Sequence, residues 1–180
     1  MRVFVQVGGK ASEKLKKLLL VLLMTLPGSP FVEHDSDIDR KEVHLELASS
    51  KILNTEKDTK KRHLARALFS SLSKSRAREE ALLYGTFTFL PFHSSNSTVP
   101  LPPSVLAFLR SWGCVRFLVL LNIGPETRAL DSGWASSLPE AGVFVASTGM
   151  DRLGATSLDK LELQPHEAIV IKLFEAEAYS

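Results

Sequence analysis

Sulfur and polar aromatics are scarce in this chain of 180 residues, which has one Cys, two Trp and two Tyr. The lone thiol, Cys114, excludes an intrachain disulfide and any zinc site built from several cysteines; lying between apolar runs, it reads as a small buried or turn residue. Long apolar runs are missing too. The longest, 18–26, is about half of what a bilayer crossing requires. It lies away from the extreme N-terminus and lacks a small-residue cleavage site after it, so the sequence as read is expected neither to span a membrane nor to carry an export signal.

Signatures of chemistry are equally thin. There is no Gly-x-Ser-x-Gly elbow to present a nucleophile. His34, His44, His63, His93 and His166 show no metal-ligand spacing on one helix face, and Gly8-Gly9-Lys10 is too short for a phosphate loop. The cations are interleaved with carboxylates rather than with aromatic rings, which argues against a base-stacking platform for nucleic acid. No internal repeat is visible.

What is present is globular composition, with 44% hydrophobic and 23% charged residues, enough for one ordinary domain or two small ones. Charge divides the chain. Residues 1–80 hold 16 Lys/Arg against 11 Asp/Glu, a surplus of five positive charges, whereas residues 81–180 hold 6 against 9, a deficit of three. The halves are therefore read separately.

In the first half, 1–7 alternates weakly as a short strand. Ser12 then caps a helix whose Leu15, Leu18, Leu19, Leu22 and Leu23 fall on one face, with Lys14, Lys16 and Lys17 on its solvated side. Pro27-Gly28-Ser29-Pro30 ends it. The segment 33–57 reads as a polar loop with one brief strand around Val43, Leu45 and Leu47. A second helix is expected over 58–80, burying Leu64, Leu68 and Leu72 and turning its basic residues to solvent.

After Glu80 the period becomes that of strands: 81–90, a central hairpin over 104–125 reversing at Gly113-Cys114, then 127–130, 142–146, 160–163 and 168–174. Six or seven strands with no helix between them suggest an antiparallel sandwich. Two features could carry function. Glu33, His34, Asp35, Asp37 and Asp39 form the densest ionisable cluster and open like a calcium loop, but Arg40 stands where the loop's Gly belongs and the closing Glu is missing, so a solvated acidic loop is favoured. Asn96-Ser97-Thr98 is an N-glycosylation acceptor in a polar loop.

Three stretches together resemble one family. LVLLMTLPGSP at 20–30 resembles the segment leading into the eighth barrel strand of the α-amylase-like glycosidases. FSSLSKSRAREEALLYGTFTF at 69–89 resembles the helix and first strand leading into their C-terminal sandwich, and RFLVLLNIG at 116–124 with LELQPHEAIVIKL at 161–173 resembles two strands of it. Within that superfamily the phrasing is most similar to the heavy chains of heteromeric amino-acid transporters, solute carrier family 3. Phe31-Val32-Glu33-His34-Asp35 mimics a glycosidase Phe-Val-x-x-His-Asp signature, but it is one residue short and wrongly flanked.

The resemblance implies an α+β fold: 1–80 as the last βα units of an α-amylase-type (β/α)8 barrel, followed by an antiparallel β-sandwich over 81–180. It implies a non-catalytic extracellular ectodomain at the plasma membrane whose partner is a transporter light chain, with no catalytic, cofactor-binding or metal residue and with Asn96 as a glycosylation site. A whole barrel takes about 250 residues, and the two facing carboxylates of a retaining glycosidase have no counterpart here, so the chain reads as a C-terminal fragment. The alternatives are a fragment of an active α-glucosidase or amylase, and a free-standing sandwich module with a helical arm. On the fragment reading, the leucine stripe of the first helix belongs against missing barrel strands and is expected to stand unpartnered.

Overall fold

The structure is a computed structural model that describes residues 12–30, 52–90, 104–130 and 137–174, with side chains from residue 63 onward in the second of these segments. Among these residues, three helices come first: α1 (Glu13–Thr25), α2 (Ile52–Arg78) and the one-turn α3 (Glu80–Leu83). Eight strands follow: β1 (Thr86–Leu90), β2 (Val105–Trp112), β3 (Val115–Asn122), β4 (Arg128–Ala129), β5 (Ala141–Ser147), β6 (Ala155–Ser157), β7 (Glu162–Leu163) and β8 (Ala168–Leu173). Six of them form one antiparallel sheet in the order β1-β2-β3-β8-β5-β6, while β4 and β7 pair separately. The class is α+β.

The expected hairpin is the spine of this sheet. Trp112 pairs with Val115 across a two-residue turn, and Gly113 has φ +55° at its first position, the backbone a II′ turn demands. Cys114 is therefore an exposed turn residue. Strands β3 and β8 lie at the centre with nearly every residue buried, because both faces of the sheet are covered.

The two coverings are unequal. On one face Phe108, Phe117, Val119, Leu121, Ala168 and Val170 pack against Leu18, Val21 and Met24 of α1 and Leu68 and Leu72 of α2. On the other, Ala107, Leu109, Leu118, Leu120, Ile169 and Ile171 meet Leu130, Leu158, Leu161 and Leu163 from β7, the ends of the short strands and a 3₁₀ turn at Leu158–Lys160. The sandwich expected from strands alone is thus a full sheet facing a two-stranded one, with helices occupying the sheet's back.

The structure corrects three expectations. The leucine stripe of α1 is not left unpartnered: Leu18 and Val21 are fully buried against β3 and β8. The expected strand over 81–90 begins instead as helix α3, because Ala81 and Leu82 sink into the helix-side core while Glu79 accepts the amide of Leu82 at 2.9 Å. Helix α2 also starts earlier than read, at Ile52. The acidic cluster 33–39, the strands expected at 1–7 and 43–47, and Asn96 lie outside the described residues.

Candidate functional site

The stretches singled out in the sequence meet in space at one seam, where α1, α2 and the sheet touch. Thr25, Leu26 and Gly28 come from the first, Arg76, Glu79 and Gly85 from the second, and Phe117 and Lys172 from the strands. Arg76 is 6% exposed. Its Nη1 donates to the carbonyls of Met24 at 2.7 Å and Leu26 at 3.1 Å, and its Nη2 to that of Gly28. It therefore caps the end of α1, where unsatisfied carbonyls and the negative end of the helix dipole favour a cation.

Arg110 of β2 works beside it. The side chain is fully buried, with Nη1 donating to Thr25 O at 2.8 Å and Nη2 to Gly85 O at 3.0 Å, while Nε is buried without a partner. Burial pushes both guanidinium groups below their ordinary pKa, and for Arg110 the neighbouring charge of Arg76 pushes the same way. Gly85 is required at its place because a Cβ there would strike the carbonyl oxygen of Ala81 and lie 2.8 Å from that of Ser111. Lys172 completes the seam, its Nζ 2.8 and 3.0 Å from the Glu79 carboxylate and 5.5 Å above the Phe117 ring.

Two polar knots lie away from this seam. In the β7–β8 turn, Glu167 is nearly buried and accepts Arg152 Nε at 2.7 Å, Arg152 Nη2 at 2.8 Å and the amide of Gln164 at 2.7 Å. Side-chain bonding to Glu167 holds the Arg152 pKa above its ordinary value. Next to it His166 adopts φ +55°. At the end of β3, buried Asn122 donates from Nδ2 to Glu126 O at 2.6 Å and Gln164 O at 3.0 Å, and its Oδ1 accepts the Gly124 amide at 3.1 Å.

The basic residues of α2 were expected to face solvent, and Arg66 does, but Arg76 is a buried clamp. Arg110 has no motif around it. Its one signal is a lone cation inside the apolar run Leu106, Phe108, Leu109, which a buried strand tolerates only when that cation is satisfied. The described histidines His63 and His166 are not gathered with other metal-binding groups, and no cluster of three or more such groups occurs among the described residues.

No family model matches the chain. A curated protein does: the amino acid transporter heavy chain SLC3A2 of Oryctolagus cuniculus is 28% identical over 184 residues, covering 88% of this chain and 33% of the relative. The chain is thus similar to an amino acid transporter heavy chain. It spans about a third of the length of that heavy-chain relative. Among solved structures, isomaltulose synthases from Erwinia rhapontici NX5 and Protaminobacter rubrum align at 22% and 26% identity over 59% of this chain and 17% of theirs, each with a TM-score of 0.45. No helix among the described residues is long and apolar enough to cross a membrane.

Proposed function

We propose that the protein carrying this chain is a non-catalytic transporter heavy chain, in which this region belongs to an extracellular, glucosidase-like ectodomain at the plasma membrane. Its work is to support the stability and surface expression of a light-chain transporter through complementary surfaces. On this reading 1–80 is the last part of a barrel, 81–180 is the sandwich attached to it, and Asn96 is glycosylated.

The observation that carries the reading is the heavy-chain relative, whose likeness extends over nearly nine-tenths of the chain. The seam adds physical support. Buried cations spent on helix-end carbonyls rigidify a scaffold, since Arg76 of α2 ties down the end of α1 while Arg110 of β2 holds Thr25 of α1 and Gly85, next to α3, to the sheet. A scaffold that must present a fixed outer surface benefits from such a joint.

The test uses the full-length protein, tagged and co-expressed with multispanning light chains. The expected result is co-purification with one of them and a higher surface level of that light chain by biotinylation. Turnover of α-glucosides by the full-length protein, or an unchanged light-chain surface level, would overturn the proposal. Asn96→Gln is expected to abolish a glycosidase-sensitive mobility shift of this region.

A further inference from the structure

Beside the seam opens a cleft of about 440 Å³, at the small end of the range for pockets that hold organic ligands. Its lining is mostly apolar, from Met24, Pro30, Phe69, Ala77 and Leu83, with Ser73 and Arg76 as its polar residues. Phe69 is 40% exposed, an aromatic side chain beside the buried line of Leu68 and Leu72 on the same helix.

The charge of this wall is unbalanced. Arg76 and Arg110 approach the same end of α1, on the adjacent carbonyls of Met24 and Thr25, and burial lowers the pKa of both, with the charge of Arg76 adding to the effect on Arg110. Among the described residues their partners are carbonyl oxygens, and neither arginine shares an ion pair with a carboxylate. Arg110 Nε, fully buried behind them, has no acceptor. Two cations in a low-dielectric joint, offset by dipoles alone, make an anion at the adjacent opening favourable.

We propose that this cleft binds a small amphipathic carboxylate, its anion against Arg76 and Ser73 and its apolar body between Met24, Phe69 and Leu83. A phosphate dianion fits less well, because it would need several donors where the cleft offers one guanidinium and one hydroxyl amid apolar walls. The inference stands independently of the transport reading.

The test is a titration of the full chain with hexanoate, hexan-1-ol and acetate, followed by the backbone amide signals of Phe69, Ser73 and Ala77. Saturable shifts with hexanoate, at least tenfold weaker with either the neutral alcohol or the bare anion, are expected. Replacing Arg76 would loosen α1, so the deciding variant is Ala77→Phe, which fills the cleft from an exposed position. It is expected to weaken hexanoate at least tenfold while leaving the melting temperature unchanged. Equal affinity for hexanoate and hexan-1-ol, undiminished binding by Ala77→Phe, or no saturation by about 50 mM hexanoate would overturn the proposal.

Discussion

Two arginines and one asparagine hold more of this molecule together than their number suggests. Arg110 supplies two charge-assisted bonds to carbonyls that burial cuts off from water, so Arg110→Met is expected to destabilise the fold by about 3 kcal/mol in urea unfolding. Arg110→Lys is expected to recover less than half of that, because a point charge cannot reach Thr25 O and Gly85 O as a planar fork does. Asn122→Leu keeps the volume but strands the carbonyls of Glu126 and Gln164 and the Gly124 amide, for an expected loss of about 2 kcal/mol. At this scale the sequence was least legible. Polar residues in apolar runs announce that something satisfies them, yet the acceptors of Arg110 lie 85 and 25 positions away along the chain and no local pattern encodes them.

Among the elements, helix and strand existence followed from period, whereas partners did not. Helix α1 was readable from its Ser12 cap, whose hydroxyl accepts the Leu15 amide at 3.2 Å, and from its leucine spacing. Its buried line is Leu18, Val21 and Met24 rather than the whole leucine face, since the helix is partly covered around much of its circumference. Leu18→Ala is expected to cost about 3 kcal/mol and Leu23→Ala about 1 kcal/mol or less, measured by thermal and urea denaturation. Strand β5 offers a second check. A Cβ on Gly142 would lie 2.5 Å from Ile171 Cγ2 and 2.6 Å from the Lys172 carbonyl, so Gly142→Ala is expected to destabilise by about 2 kcal/mol through displacement of β8. Helix α3 escaped the alternation reading because Ala81 and Leu82 suit either period, and only burial against the helix-side core decides between them.

For the molecule as a whole, the change in composition near residue 80 is real in sequence but is not a gap in packing. Residues from α1, α2 and the sheet share one apolar cluster, so tryptophan fluorescence and far-ultraviolet circular dichroism are expected to report a single coincident unfolding transition. Residues 81–180 expressed without the helices are expected to bind hydrophobic dyes, because the face carrying Phe108, Phe117 and Val119 would be bared; failure to do so would show that the sheet closes over itself. The class and the helix-then-sheet order were legible in the sequence, while the helix layer on the back of the sheet was not, since amphipathic period tells which side is buried and never against what. The joint between Thr25 and Arg110 also bears on birth at the ribosome. A nascent chain delivers α1 long before β2 leaves the exit tunnel, so the oily side of that first helix waits, through some eighty further codons, for the arginine that will lock it. Holding chaperones should therefore meet this region as α1 emerges and release it once the hairpin has followed.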